Sequence, residues 1–411
     1  MIERAVKRNT ILLAACMAVN SATLQLVAAV SSLTFVLVTG IEGLLGLGPA
    51  IFLTSAALTA LAAGRAMDRF GRVPVLAAAF AVGSVGAAVT ALGTHDDSSL
   101  AVIAGFGLIG AAGGTINLAR TAAGDMYPPD RRARGIAYVL FGSVFGAILG
   151  PAVFSPIFHG RDVEASALTL PWLAAGGMML VGLAVVLFVR PDPKRIAEQI
   201  APPPRPGEQP PPAAPLREIL GRPLVVPSLV AGIVSFAVMV AVMNLAGYVV
   251  VQHRHHAQDL VFPIIGAHVL GMYALVPVVG TVIDRIGRPP ALVGGLSLMA
   301  VANAALITLE GVPGTALLLF GLGLGWNISF VAATAQLADC AAPSERGKLL
   351  GFNDLVAGLT GAAFVLIGGY ALDTAGVATL ALGAAAVALA APVWLLARAR
   401  SAGRPAIEPA P

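Results

Sequence analysis

Long apolar runs, separated by short polar stretches, dominate the pattern of this chain. Each run has about 20 residues or more, which is the length that an α-helix needs to cross a hydrocarbon core of roughly 30 Å. The alternating segments of about ten residues that are typical of membrane β-barrels are absent. The pattern predicts an all-α membrane protein with twelve transmembrane helices, at 10–38, 44–64, 73–93, 99–123, 135–158, 168–189, 223–250, 260–283, 290–309, 313–338, 347–370 and 374–397.

One long polar stretch interrupts these runs between the sixth and the seventh. Residues 190–222 read RPDPKRIAEQIAPPPRPGEQPPPAAPLREILGR, and ten prolines fall within 191–215. Sequence this rich in proline favours an extended backbone and excludes a membrane helix. We therefore divide the chain into a six-helix bundle at 1–190, a proline-rich linker at 191–222 and a second six-helix bundle at 223–411.

The composition agrees with this membrane architecture. Of the 411 residues, 57% are hydrophobic and 11% are charged, whereas soluble domains carry roughly 25% charged residues. We expect the lipid bilayer to be a partner and expect no nucleic-acid partner. The first apolar run exceeds a signal-peptide core of roughly 7–15 residues, so we predict an uncleaved membrane helix. The two cysteines, Cys16 and Cys340, are predicted to lie far apart, without a disulfide or a redox role.

The placement of lysine and arginine sets the predicted orientation in the membrane. With a cytoplasmic N-terminus, 22 of the 25 basic residues lie in inside loops or at inside helix ends. The exceptions are Arg161 and Arg254 in outside loops and Arg120 late in the fourth helix. Both termini are therefore predicted to be cytoplasmic, in a protein of the bacterial inner membrane.

The outer side of this topology carries most of the histidine. Five of the six histidines and eight acidic residues fall in outside loops. Such an outer face either gathers cations or consists of solvated loops that avoid basic residues. If it gathers cations, the candidates for outer metal capture are His253, His255, His256 and Asp259.

Two stretches of the chain match at an offset of 216 residues. GRAMDRFGRVPVL begins at Gly64 and GTVIDRIGRPPAL begins at Gly280, each after the second helix of a six-helix half. A second match pairs DMYPPDRRARG, from Asp125, with DCAAPSERGK, from Asp339. Parallel repeats of this kind are typical of transporters with two pseudo-symmetric halves. The coinciding positions of the first match are Gly64, Asp68, Arg69, Gly71 and Arg72 in one half, and Gly280, Asp284, Arg285, Gly287 and Arg288 in the other.

The duplicated Gly-x-x-x-Asp-Arg-x-Gly-Arg motif resembles the signature of the major facilitator superfamily, and the resemblance covers the whole chain. It implies the twelve-helix fold of that superfamily, with two pseudo-symmetric six-helix bundles and transport by alternating access. It also implies a gating motif, in which Asp68 faces the eleventh helix and Asp284 faces the fifth when the cytoplasmic side is closed. A carboxylate gains roughly 0.3–1 kcal/mol at a helix N-terminus. The arginines of the motif also suit a role as topology anchors.

Few polar side chains fall within the predicted membrane helices, where ionisable groups often mark function. Asp354, near the cytoplasmic end of the eleventh helix, is a candidate for proton coupling, or else it caps a helix or partners the gating motif. Arg120 either pairs with Asp125 or points into the cavity. The stretch GSVFGAILGP, at 142–151, resembles the glycine-proline motif of superfamily antiporters but also suits plain helix packing. Four amides either contact substrate or join helices: Asn20, Gln25, Asn244 and Asn327.

The hairpin at 237–274 combines sulfur and imidazole in a regular pattern. Met239 and Met243 are four residues apart in the seventh helix, and His268 and Met272 are four apart in the eighth. Residues with that spacing share a helix face, and the symmetry of the hairpin predicts that the four lie at two matching depths. Thioether and imidazole suit copper, above all Cu(I). Methionine at helical spacing is also common core filler.

The pattern Met-x-x-x-Met followed by His-x-x-x-Met resembles the CcoA-like copper importers, a branch of the superfamily in which a related group handles riboflavin. The resemblance implies a copper uptake transporter, with the four hairpin residues as metal ligands and copper as substrate rather than cofactor. Cysteines near these helices are typical of the branch, and none lies between Cys16 and Cys340. A thiol relay is therefore not expected.

Three classes of function remain open from the sequence. The leading interpretation is a monomeric copper importer with protons as the candidate coupling ion. The alternative is a proton-coupled transporter of a drug or metabolite, such as a riboflavin-like molecule. A membrane receptor without transport is a third, which the duplicated motif disfavours. No nucleophile–base set or cofactor loop occurs in the sequence, so we expect neither an enzyme nor a bound cofactor.

Overall fold

The computed structural model describes residues 2–128, 131–160, 164–200 and 214–402, and all regular elements in these ranges are helical. The last helix contains two helices that meet at Gly376, where φ is 76°. The helices are α1 (Ile2–Thr39), α2 (Leu47–Phe70), α3 (Arg72–His95), α4 (Ser99–Ile116), α5 (Ala119–Asp125), α6 (Arg132–Phe158), α7 (Thr169–Leu187), α8 (Pro193–Ile200), α9 (Leu216–Leu220), α10 (Val225–Tyr248), α11 (Val261–Tyr273), α12 (Val276–Ile286), α13 (Arg288–Ala305), α14 (Val312–Asp339) and α15 (Pro343–Ala402).

The structure confirms an all-α membrane fold. Within the described residues, nine helices are long and apolar enough to cross a membrane. The predicted eighth span is divided between α11 and α12, α13 falls outside the nine, and α15 contains both the predicted eleventh and twelfth spans. The number twelve stays a prediction.

The prediction of an extended linker at 191–222 is wrong at both of its ends. Residues there form the short helices α8 and α9, and the linker prolines at 202–212 lie outside the described residues. Ile196 of α8 and Ile219 of α9 are buried in apolar clusters. Burial of these side chains offsets the entropy lost when the short helices become ordered.

The apolar core is continuous between the two predicted bundles at one end of the molecule only. We call residues 1–190 the first half and residues 223–411 the second half, a division that stays a prediction. We call the end with the turns before Leu47 and Val261 the outer end, following the predicted topology, and the opposite end the inner end. One large cluster joins both halves, and its first-half members come from the outer parts of their helices, such as 26–35 of α1. Each half has a separate cluster at its inner end.

The internal repeat is visible as matching turns at the inner end. Gly71 and Gly287 follow α2 and α12 with φ angles of 99° and 88°, a backbone conformation that favours glycine. Arg72 pairs with Asp125 in the first half at 2.8 Å. The equivalent pair, Arg288 with Asp339, lies in the second half at 3.5 Å. Both sequence matches therefore meet in space, once in each half.

A partly buried ion pair joins the end of the linker to the turn between α14 and α15. Arg222 donates to both carboxylate oxygens of Glu345, at 2.6 and 2.9 Å. The backbone N–H groups of Ala342 and Ala214 donate to the same carboxylate, at 2.9 and 3.3 Å. The hydrogen bonds from Arg222, followed by that from Ala342, lower the pKa of Glu345 from 4.5 to about 2.

Replacing Glu345 with Gln should lower the midpoint temperature of unfolding by a few degrees near neutral pH, because Arg222 loses its charged partner. The folded-state pKa is depressed, so the wild-type advantage is fully present above about pH 4.5 and is lost as the pH falls toward about 2. Thermal unfolding of the detergent-solubilised protein at a series of pH values measures this. Glu198→Gln, at an exposed position of α8, is the matched control. A deficit that does not shrink as the pH falls would contradict the assignment.

Candidate functional site

A central cavity lies among α1, α6, α10 and α11, and its empty space, which includes open solvent, is about 370 Å³. None of its twelve lining residues carries a formal charge. They are Met17, Asn20, Ser21, Leu24, Gln25, Asn117, Ser143, Met243, Ile265, Val269, Met272 and Tyr273.

The two walls of this cavity differ in chemistry. The first half contributes three amides and two hydroxyls, and the second half contributes two thioethers, aliphatic groups and Tyr273. Met17 is a thioether on the first-half wall. The sequence singled out Asn20 and Gln25, and the structure places both at the cavity. It gave no signal for Met17, because that residue stands alone in α1 without a partner at helical spacing.

A hydrogen bond joins two side-chain amides on the polar wall. The amide nitrogen of Asn20, in α1, donates to the side-chain oxygen of Asn117, at the end of α4, at 3.2 Å. Asn20 is only 5% exposed, whereas Asn117 is exposed. Gln25 donates to the carbonyl oxygen of Gly146 at 2.6 Å, which ties α1 to α6.

Arg120 and Asp354 form an ion pair between the halves, toward the inner end. Their closest atoms lie 3.4 Å apart, and the side chains are 33% and 47% exposed. Asn117, three residues before Arg120, is at the cavity itself. The pair therefore lies beyond the cavity on its inner side. Because it is solvent-exposed, its direct contribution to stability is small, roughly 0–1 kcal/mol.

The hairpin residues do not all face this cavity. Met243 and Met272 line it, but Met239 and His268 do not. His268 is completely buried, and its Nδ1–H donates to the carbonyl oxygen of Leu319 in α14 at 2.7 Å. This hydrogen bond leaves Nε2 as the unprotonated nitrogen. Met243 therefore shares the cavity with Met272, and His268 is a contact between α11 and α14.

The four candidates for outer metal capture have different neighbours. Asp259 lies 2.8 Å from Nδ1 of His159, and His256 lies 3.1 Å from the carbonyl oxygen of Glu310. His253 lies beside Tyr248, with ring centroids 5.7 Å apart, and His255 stands in the same loop with a φ of 53°. Among the residues that the structure describes, no three His, Cys, Asp or Glu side chains converge as a metal site would require.

The predicted gating residue Asp68 contacts one residue of its own half and one of the linker. Asp68 accepts a hydrogen bond from Arg72 at 2.8 Å, and Lys194 donates to its backbone oxygen at 2.7 Å. Asp68 is largely exposed rather than set against α15, as expected when the inner end is open. Arg69 lies over the ring of Phe70 at 5.2 Å. The side chain of Asp284 is outside the described part of the chain, so its role stays a prediction.

The outer end holds the two halves together through close contacts. Ser32 of α1 donates to the carbonyl oxygen of Asn244 in α10 at 3.3 Å. A methyl group added to Gly247 would lie 2.1 Å from the carbonyl oxygen of Ala29, so the two backbones touch there. The outer end is therefore closed. On the predicted topology, this closed outer end and the separate inner cores make the arrangement inward-facing.

Comparison with protein families places this geometry in a known group. A family model for the Major Facilitator Superfamily matches residues 11–267 and 255–410. The chain belongs to the Major Facilitator Superfamily. It is a multi-pass membrane transporter, and the superfamily expected from the duplicated motif is confirmed.

Two curated relatives extend over most of the chain. The riboflavin transporter RfnT of Brucella anthropi is 30% identical over 361 residues, which cover 86% of each protein. The uncharacterised transporter YdeG of Bacillus subtilis is 31% identical over 339 residues, covering 79% of this chain and 76% of YdeG. Neither relative is named as a copper transporter.

Solved structures agree on the fold. The xylose transporter XylE from E. coli, in a partially occluded inward-open conformation, has a TM-score of 0.71 at 13% identity, covering 95% of this chain and 97% of XylE. A POT family transporter in complex with 5-aminolevulinic acid has a TM-score of 0.72 at 10% identity, covering 96% of each chain. At such identities the likeness shows the fold alone.

Replacing Gly247 with Ala should prevent the outer end from closing, because the added methyl group would collide with the carbonyl oxygen of Ala29. The test uses a background in which Cys340 is replaced by Ala and a single cysteine is introduced at Asn117. We expect this cysteine to react with a thiol reagent added from the cytoplasmic side several-fold more slowly when Gly247 is Ala than when it is Gly. Gly177→Ala is the matched control, since a methyl group there meets nothing within 4 Å. Equal labelling rates in the two variants would overturn the assignment of the closed end.

Proposed function

We propose that this transporter carries a small organic solute with a planar heteroaromatic ring, of which riboflavin is the leading example. The observation that carries the proposal is the uncharged central cavity, with an amide-rich wall facing a thioether wall. Thioether sulfur packs favourably against aromatic rings, by roughly 0.3–1.5 kcal/mol per contact. Amides supply both donors and acceptors to the edge of such a ring.

The relative RfnT supports the same substrate class. It is named as a riboflavin transporter and aligns with 86% of this chain. A riboflavin-like molecule is also the example given by the alternative interpretation of the sequence, whose leading interpretation is copper uptake. Fold likeness to peptide and sugar transporters carries no weight for substrate choice.

Transport would proceed by alternating access in the bacterial inner membrane, with both termini in the cytoplasm. The inward-facing arrangement would release solute to the inner side. Closure of the inner end would bring Asp68 toward α15, and the outer end would open as the contact between Gly247 and Ala29 separates. Asp354, paired with Arg120 at 3.4 Å, is the candidate for coupling to protons. A single chain suffices for this cycle.

Copper is the second candidate, favoured by one observation. Three thioethers, Met17, Met243 and Met272, line the same cavity, and such ligands suit Cu(I). Met239 and His268 do not line this cavity, which weakens the four-ligand hypothesis. The amide wall also has no use in a site for a soft metal ion.

Riboflavin binding to the purified protein, followed by quenching of flavin fluorescence, tests the organic substrate. Replacing Met243 and Met272 together with Ala should weaken binding by roughly tenfold, because two thioether contacts with the ring are lost. Replacing Met239 with Ala should leave binding unchanged, since this buried methionine lies one turn away on α10 and does not line the cavity.

Cellular copper content separates the two candidates. One pair of results would overturn the organic substrate in favour of the four-ligand copper site. In that case the protein binds no flavin, and copper accumulation is lost both in the Met239→Ala variant and in the Met243/Met272 variant. Flavin binding with copper content unchanged in every variant would reject copper.

A further inference from the structure

We propose that the side-chain amides of Asn20 and Asn117 recognise the transported ring by forming hydrogen bonds with the polar groups along one of its edges. The ring class is an imide, in which an N–H group lies beside a carbonyl group, as on the pyrimidine side of riboflavin. Asn20 accepts from the N–H group and Asn117 donates to the carbonyl oxygen. This inference rests on the proposed function, because it assigns an orientation to the substrate in the same cavity.

The geometry of the pair provides the two atoms that this reading needs. Two facing amides can form two hydrogen bonds with each other, but here only one is made, from Asn20 to the side-chain oxygen of Asn117. Among the described residues, no hydrogen bond occupies the side-chain oxygen of Asn20 or the side-chain nitrogen of Asn117. One acceptor, on Asn20, and one donor, on Asn117, therefore remain available on two residues that line the cavity.

Burial fixes Asn20 before the substrate arrives, and Asn117, which is exposed, is held by the hydrogen bond from Asn20. Asn20 is 5% exposed, and the bond to Asn117 holds its amide plane. Preorganised groups of this kind lose little freedom on binding. A site built around such groups rejects an analogue that lacks the matching N–H, because the buried acceptor is then left without a partner.

The other buried amides are less suited to this task. Asn244 donates to the carbonyl oxygen of Val240 within α10 and does not line the cavity. The nitrogen of Gln25 is occupied by Gly146, and its oxygen is enclosed. A methyl group added at Gly150 would lie 2.8 Å from that oxygen, so it is closely packed against α6.

The test compares riboflavin with riboflavin methylated at the imide nitrogen, which has no N–H donor. The purified wild-type protein should bind riboflavin at least about tenfold more tightly than the methylated compound. Asn20→Ala should weaken riboflavin binding and reduce this preference to about twofold or less. Asn117→Ala should weaken both compounds by a similar factor, because both keep the carbonyl group. Asn244→Ala is the matched control and should leave both affinities within about twofold.

The outcomes separate this inference from the proposed function. Equal wild-type affinity for the two compounds would overturn the imide reading while the flavin-type substrate stands. Retention of the full preference in Asn20→Ala, or the same loss in Asn244→Ala, would also overturn it. No wild-type binding of either compound would reject the proposed function, and this inference with it.

Discussion

The close contact between the backbones of α1 and α10 at the outer end determines how the two halves are arranged. Gly247 of α10 lies so close to the carbonyl group of Ala29 in α1 that a single methyl group would not fit. Within a bilayer, close packing of small residues is a main source of helix association, since lipid tails are as apolar as the side chains. The contact therefore joins the two halves where they are closest and leaves their inner ends free to separate.

The properties of the cavity follow from that contact. Because α1 and α10 meet at the outer end, the cavity has one wall from each half, and Arg120 and Asp354 pair beyond its inner side. The amides lie on the first-half wall, and most of the apolar and thioether groups lie on the other. Rocking of the halves would separate the two walls, so a solute held by both would be released by the motion that opens the site.

Periodicity and repetition in the sequence predicted the membrane helices, the superfamily and the matched inner turns. The pairs Arg72–Asp125 and Arg288–Asp339 join the two matches within each half, but the sequence did not predict them and offered Arg120 as a partner of Asp125 instead. These sequence patterns did not predict which residues surround His268. Spacing shows which residues share a helix face, but which neighbour that face meets depends on packing, and here it is α14. The helices at the two ends of the linker, α8 and α9, were not predicted, because the high proline content of the whole stretch outweighed the signal of two short amphipathic segments.

Locking the outer end tests alternating access most directly. His159 and Asp259 touch across the halves at 2.8 Å, and cysteines at these two positions can be joined by a short, cleavable bifunctional thiol reagent. In proteoliposomes, we predict that the crosslinked protein stops carrying riboflavin, that cleavage restores transport, and that either single cysteine with the same reagent has no effect. Undiminished riboflavin transport while the crosslink is intact would contradict the account.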